Sequence, residues 1–251
     1  MRLLLFTKEH PAYLPFVERC KVHAKEILMV SSEKTSLNLY GLPSVFHHKA
    51  SSIRHEELKQ HAQDFNPDLM ISFYYNRIIH QDLIQVPQLA VNFHGSLLPD
   101  YAGSHALNWQ ILRGEQKSGV TIHELTDEVD AGRIILQREF VINQEDDAND
   151  ALRKGINTSL GLLDDFHLQW KQGLINPIPQ VKTGNEFVCS KRTYEDGKIK
   201  KTMAPIDVVN LSRALVHPWP GLYYYNNKEE KIKINCVLSL DEAKEILRNT
   251  L

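Results

Sequence analysis

The chain has 251 residues, of which 42% are hydrophobic and 24% are charged, and its formal net charge is −2. This length is enough for one large domain, or for a main domain with a small appendage, and the composition is that of an ordinary globular protein. A net charge near zero gives no electrostatic reason to expect binding to nucleic acid or to a membrane.

The cysteines and the first apolar run indicate the cellular compartment of the protein. Cys20, Cys189 and Cys236 are odd in number and widely separated, which argues against a disulfide framework or a zinc site. Residues 1–6 are apolar, but this run is too short for a signal peptide or a membrane span. We therefore expect a soluble, cytoplasmic protein without a metal.

The first two thirds of the chain alternate between apolar strands and helical segments. We predict strands at residues 3–6, 26–30, 69–73, 89–93, 120–125 and 134–136, and helices at residues 56–65, 106–113 and 149–170. Continuous apolar strands between helices predict an α/β fold with a Rossmann-like, mostly parallel sheet that is covered on both faces.

The composition changes after residue 175. The run Asn176-Pro177-Ile178-Pro179 breaks the helical pattern, and the remainder is polar with β-prone pieces at residues 187–189 and 231–237 and a helix at 240–248. We predict a main domain over residues 1–175 and a small C-terminal mixed, β-rich subdomain over residues 176–251.

The most informative motif is Asn92-Phe93-His94, at the end of a predicted strand. Strand side chains repeat every second residue, so Asn92 and His94 project from one face. A carboxamide beside an imidazole suits acyl transfer, because one group stabilises the oxyanion and the other moves a proton. Asp130, in a second turn-like segment, would by itself be interpreted as a turn carboxylate.

Loops after three strands converge on this motif, since ligands in open α/β sheets bind outside the carboxyl ends of the strands. Residues 8–10 follow the first strand, and residues 74–77 follow another. No Gly-x-Gly-x-x-Gly or P-loop is present, and Ser96 and Ser104 lack a nucleophile elbow. The basic residues between 191 and 201 are interpreted as a solvated hairpin rather than a nucleic-acid groove.

Three segments together resemble the 10-formyltetrahydrofolate-dependent formyltransferase family. They are residues 91–101 (VNFHGSLLPDY), 119–123 (GVTIH) and 130–135 (DAGRII). The resemblance covers residues 65–172, and residues 211–221 resemble the region after the catalytic domain in transfer-RNA and sugar-nucleotide members. It implies the formyltransferase fold and an enzyme that transfers a formyl group.

The resemblance also implies the roles of individual residues. The catalytic trio is Asn92, His94 and Asp130, and the formyl donor is the co-substrate 10-formyltetrahydrofolate, without a metal. The implied folate contacts are Tyr74, Ile79, Leu97, Leu98, Thr126, Glu128 and Val129. Ala102 stands where the family often has an arginine, whose contact Arg77 or Arg113 would then supply.

The resemblance is less specific for the acceptor. The run Thr7-Lys8-Glu9-His10-Pro11 replaces the Gly-rich phosphate loop of glycinamide ribonucleotide transformylases, and formyl-folate hydrolases usually carry a regulatory domain before the catalytic one. A short tail and a slightly acidic balance over the whole chain give little electrostatic attraction to tRNA. We therefore favour the sugar-nucleotide N-formyltransferases; a methionyl-tRNA formyltransferase-like enzyme and a catalytically inactive folate-binding protein are the alternatives.

In the favoured interpretation the acceptor is a nucleotide-linked amino-dideoxy sugar, such as a dTDP-amino sugar used in lipopolysaccharide O-antigen biosynthesis. The candidate acceptor contacts are Lys8, His10, Arg77, Tyr101, Ser104, Trp219, Tyr223 and Tyr224. The sequence leaves open the nucleotide and whether the amine is at C3 or C4. We expect a homodimer through the tail, and no nucleic-acid or membrane partner.

Overall fold

The computed structural model describes residues 1–31, 41–42, 45–47 and 52–251, with the backbone alone for residues 45–47 and 52–54. Among the residues described, none of the helices combines the length and the apolar character that crossing a bilayer requires. The predicted strands and helices all fall within the described residues.

The helices and strands follow one another in the order of their numbers within each class. The strands are β1 (Arg2–Thr7), β2 (Glu26–Ser31), β3 (Val45–His47), β4 (Leu69–Phe73), β5 (Leu89–His94), β6 (Ala102–Gly103), β7 (Lys117–Glu124), β8 (Ile134–Val141), β9 (Val188–Cys189), β10 (Leu222–Tyr225) and β11 (Lys231–Ile234). The helices are α1 (Leu14–His23), α2 (Ser52–Phe65), α3 (Gln81–Ile84), α4 (Ala106–Leu112), α5 (Ala148–Gln172), α6 (Pro205–Ala214) and α7 (Leu240–Asn249).

Seven strands form the central sheet in the order β3-β2-β1-β4-β5-β7-β8. The pairs from β3 to β5 are parallel, whereas β7 is antiparallel to both β5 and β8. The predicted α/β fold with a mostly parallel sheet is therefore confirmed. Strand β8 extends to Val141. The sequence predicted its end at residue 136, because the second half of the strand is mainly exposed and lacks an apolar run.

The two faces of the sheet carry different parts of the core. On β1, Leu3 and Leu5 pack with α1 and α5 residues such as Phe16 and Phe166, while Leu4 and Phe6 pack on the other face with Leu58 of α2. This alternation follows from the two-residue period of a strand. Both faces are covered at β1, which is why residues 3–6 are apolar without interruption.

Helix α1 was not predicted from the sequence. It follows Pro11 and carries Pro15 in its first turn, where a missing N–H costs nothing. Its buried residues are Phe16, Val17 and Cys20, and Phe16 is fully buried and stacks on Phe73 with ring centroids 3.6 Å apart. The helix is therefore stabilised by the tertiary packing of this face. Helices α3 and α6 and strands β3 and β10 also went unpredicted.

The residues after α5 contain α6, α7 and the antiparallel pair β10–β11, which is the predicted small mixed region. Helix α6 packs on α4, where the Asn108 side chain donates to the Ala214 carbonyl. Before α6 the chain runs back along the main sheet: Ile178 pairs with Ile134, and β9 pairs with β6. The C-terminal part thus contacts the loops at the end of β5.

Candidate active site

The site forms where β1, β4 and β5 end at the same edge of the sheet. These strands are parallel and in register, with Phe6 beside Ser72 and Ser72 beside Asn92. Asn92 and His94 project from one face of β5, as their spacing predicts. The structure thus brings the three predicted loops to one edge.

Asp130 lies against both of these side chains. Its Oδ2 atom is 3.3 Å from Nδ1 of His94, and its Oδ1 atom is 3.4 Å from Nδ2 of Asn92. His94 and the Asp130 carboxylate are both nearly buried, at 8% and 10% side-chain exposure. The three residues of the predicted trio therefore form one contiguous cluster.

The other ring nitrogen of His94 is also engaged. Nε2 lies 2.8 Å from the carbonyl oxygen of Tyr101, which can only accept, so Nε2 carries a proton and donates. Burial lowers the pKa of His94, and the opposing effects of the Asp130 carboxylate and the Tyr101 carbonyl do not outweigh it. The Asp130 carboxylate thus favours the protonated ring, the only form in which Nδ1–H can donate to Asp130 while Nε2–H donates to Tyr101, but the net shift is toward the neutral ring.

Asp130 is held in place by the backbone around it. Its φ is +53°, a left-handed conformation, and the following turn depends on Gly132, where a Cβ would lie 1.9 Å from the Glu124 carbonyl oxygen. The Gly103 N–H donates to Oδ2 over 2.8 Å. Burial alone would raise the pKa of Asp130, but His94, His123 and the Gly103 N–H lower it to about 2.

His123, for which the sequence predicted no role, completes this cluster. It lies opposite Asn92 on β7, is 1% exposed, and its Nδ1–H donates to the Glu124 carbonyl over 2.8 Å. In the neutral ring Nε2 is therefore an acceptor 3.1 Å from Nδ2 of Asn92, and in the protonated ring Nε2–H faces Oδ1 of Asp130 at 3.4 Å. A prediction of the antiparallel pairing of β5 with β7 would have placed His123 opposite Asn92.

The residues expected to contact folate lie in two kinds of surroundings. Thr126, Glu128 and Val129 form an exposed loop before Asp130, with Val129 66% exposed. Leu98 is buried, its N–H donates to Thr121 and its carbonyl accepts from Gln137. The Leu98 N–H and carbonyl groups thus both have partners within the protein.

The remaining folate candidates also differ in accessibility. Leu97 is half-buried and covers Gly119. The Tyr74 ring stacks on Tyr13, and its buried hydroxyl has no hydrogen-bond partner among the described residues. Ile79 and Leu125, in the loops after β4 and β7, are both partly buried against the same core cluster.

Several acceptor candidates lie at the same edge. His10 is exposed and caps the turn at residues 11–13. Burial lowers the pKa of His105, and the nearby Lys8 and other cations lower it further. Ser104 and Arg77 are exposed. These positions are consistent with contacts to a polar acceptor.

Tyr101 occupies a structural position beside Ala102. Its hydroxyl donates to Glu115 and accepts from Arg113 over 3.2 Å, while its ring packs on Phe187. Ala102 itself pairs with Val188 in the β6–β9 ladder. Arg113, one of the two residues expected to replace the family arginine, therefore lies beside this turn.

The C-terminal aromatic residues correct one prediction. Tyr223 is 2% exposed, stacks on Tyr194 and donates its hydroxyl to Glu195, so it is too buried to stack on a nucleotide base. Tyr224 packs in the C-terminal core. Trp219 is half-buried against the ring of His105 and is the only one of the three predicted residues that lies beside the loop after β6.

The basic stretch also differs from the predicted solvated hairpin at Arg192. This side chain is 6% exposed and lies over the Trp109 ring, and its Nε and Nη1 atoms have no hydrogen-bond partner among the described residues. Its backbone N–H donates to Nδ1 of His105. Arg192 is therefore a buried cation near the site that the sequence pattern did not reveal.

Comparisons with known proteins identify the family of the chain. A family model described as formyl transferase matches residues 17–159, which is more than half of the chain. The chain belongs to the formyl transferase family. The bifunctional polymyxin resistance protein ArnA of Wigglesworthia glossinidia brevipalpis is 33% identical over 204 residues, covering 81% of this chain and 31% of the relative. The chain thus spans about a third of that relative's length.

Solved structures share the fold over nearly the whole chain. A 4-N formyltransferase from Francisella tularensis has a TM-score of 0.73 at 18% identity, covering 95% of this chain and 98% of that one. WlaRD, a sugar 3N-formyl transferase solved in the presence of dTDP and 5-N-formyl-THF, has a TM-score of 0.69 at 19% identity, covering 90% and 83%. At these identities the similarity establishes the formyltransferase fold.

Proposed function

We propose that this enzyme transfers a formyl group from 10-formyltetrahydrofolate to the amino group of a nucleotide-linked amino-dideoxy sugar. The cluster of Asn92, His94 and Asp130 at the end of β5, in a chain of the formyl transferase family, carries this proposal. The sugar acceptor draws support from the fold shared with WlaRD.

The surroundings of the cluster fit a folate donor. The loops after β4 and β7 each expose an apolar side chain, Ile78 at 75% and Val129 at 66%. Clefts that bind ring systems combine such apolar walls with a few polar groups. In this proposal the pterin lies between these two loops, with the formyl group toward Asn92.

The chemistry follows from the groups present. The acceptor amine attacks the formyl carbon, the bond from that carbon to N10 breaks, N10 gains a proton, and the amine loses one. Asn92 stabilises the oxyanion with the amide hydrogen that makes only a long contact to Asp130. The Nε2–H of His94 serves the same oxygen once the substrate displaces the Tyr101 carbonyl. Ionised Asp130 accepts a hydrogen bond from Nδ1–H of His94 when that ring is protonated, and it helps to accept the proton from the amine, directly or through water.

The acceptor would lie across the ends of β1 and the loop after β6. This side carries an excess of positive charge from Lys8, Arg192 and the exposed Lys191. All three lie close enough to His105 to lower the pKa of its ring. A diphosphate is a suitable partner for such a group of cations. Trp219 is the remaining aromatic candidate for the base.

The test is release of tetrahydrofolate from 10-formyltetrahydrofolate, measured with a panel of amino-sugar nucleotides and with charged initiator tRNA. Turnover on a sugar nucleotide is the expected result, and it would identify the nucleotide and the position of the amine. Turnover on the tRNA alone would replace the proposal with the tRNA alternative. Folate binding without turnover on any amine would indicate an inactive folate-binding protein.

A further inference from the structure

The Gln180 side chain is hydrogen-bonded to the loop that carries Asp130. The segment before it is fixed to the start of β8, because Ile178 and Ile134 exchange two backbone hydrogen bonds of 2.8 Å. Two residues further on, Nε2 of Gln180 donates to the carbonyl oxygens of Asp130, over 2.7 Å, and of Gly132, over 2.8 Å. One side chain therefore holds both ends of the turn that presents Asp130.

The backbone of Asp130 requires such stabilisation for two reasons. Its left-handed φ of +53° is unfavourable for a residue with a Cβ, and the preceding residues 126–129 are exposed and supply little packing. Its carboxylate must nevertheless stay within about 3.4 Å of Asn92, His94 and His123. Gly103 holds the carboxylate, while Gln180 holds the backbone.

The amide orientation of Gln180 carries a cost. Carbonyl oxygens only accept, so the amide nitrogen must face Asp130 and Gly132, and Oε1 turns to the other side. There it is buried with no hydrogen-bond partner among the described residues. A buried unpaired acceptor is unfavourable, and packing alone would not require it.

We propose that Gln180 is a positioning residue that holds Asp130 in the geometry required for formyl transfer. This inference rests on the proposed function for the role of Asp130 in the reaction. It connects the chain beyond α5 with the catalytic centre, in addition to the β6–β9 pairing at Gly103.

The test replaces Gln180 with methionine, which has a similar shape and no donors. We expect kcat to fall roughly tenfold to hundredfold, as for small displacements of a reacting group, while KM for the acceptor changes little. Carboxyl NMR should show the pKa of Asp130 rising from about 2 toward its ordinary 3.8 as its contacts loosen. A kcat and an Asp130 pKa close to those of the wild type would overturn the proposal.

Gln137→Met is the matched control. Gln137 also donates twice, to the Leu98 carbonyl and to the Thr121 hydroxyl, both over 2.8 Å, but it does not touch the Asp130 turn. The pKa of Asp130 should remain unchanged in this variant. An equal rise in both variants would show a general loosening of the site and would contradict the specific role of Gln180.

Gln180→Glu covers the case in which the methionine variant does not fold. The ionised carboxylate cannot donate to two carbonyls, whereas the protonated acid donates once, so activity relative to wild type should rise on acidification. A ratio that does not change with pH would overturn the proposal. If the wild-type protein transfers no formyl group, the proposed function fails, and the Asp130 titration still decides the role of Gln180.

Discussion

Asn92 and His123 face each other across the antiparallel β5–β7 pair, with Nδ2 of Asn92 3.1 Å from Nε2 of His123. The Nδ1–H of His123 donates to the Glu124 carbonyl, so in the neutral ring Nε2 is an acceptor and fixes which way the Asn92 carboxamide turns. The group proposed to stabilise the oxyanion is thus oriented by a buried histidine that need not touch substrate.

Removing a member of the trio should abolish most turnover without unfolding the protein. Asn92→Ala deletes an oxyanion donor, which typically costs about 3 kcal/mol of barrier, and Asp130→Ala removes the partner of His94. Tetrahydrofolate release and thermal unfolding measure the two effects. Asp241→Ala, at an exposed residue of α7, is the control, and near-normal rates in either trio variant would refute the assigned roles.

Changing His123 should slow the reaction without weakening binding. In His123→Leu the Asn92 carboxamide loses its acceptor and is free to rotate, so we expect kcat to fall roughly tenfold to hundredfold with KM nearly unchanged. Steady-state kinetics measures this separation. His61→Leu, on the exposed side of α2, serves as the comparison, and equal kinetics in the two variants would contradict an orienting role.

The packing of α1 should be essential for stability. Phe16 is fully buried against Phe73 and Phe93, so Phe16→Ala should lower the free energy of unfolding by about 3–5 kcal/mol in urea denaturation. Val22→Ala on the same helix, where the side chain is 76% exposed, should change it by only about 0.5 kcal/mol or less. Similar losses in both would show that α1 is not held by its buried face.

His167 should make the protein sensitive to acid. Burial, with His23 and Lys171 nearby, lowers the pKa of His167 from 6.5 to about 4, while Asp164 opposes the shift. Between these values the unfolded chain binds a proton that the folded protein does not, so the free energy of unfolding should fall as the pH drops from 6.5 to 4. Urea denaturation across this range should show a smaller fall in His167→Leu, and an unchanged fall would contradict the burial argument.

Some of the site was predictable because its signals are local. Asn92 and His94 share a face through the two-residue period of a strand, and parallel strands bring their carboxyl ends to one edge. His123 escaped prediction because its partner depends on the register between β5 and β7. Gln180 escaped because its contact spans 50 residues of sequence.

By itself, the sequence determined the mostly parallel α/β sheet, the catalytic motif at the end of β5 and the resemblance to the family, since each rests on periodicity or on residues adjacent in the chain. Only the tertiary structure decided that Tyr223 and Arg192 are buried, that α1 exists, and that His123 and Gln180 fix the orientations of Asn92 and Asp130. Burial and long-range hydrogen bonds depend on which distant segments meet, and that follows from packing of the whole chain rather than from any local pattern.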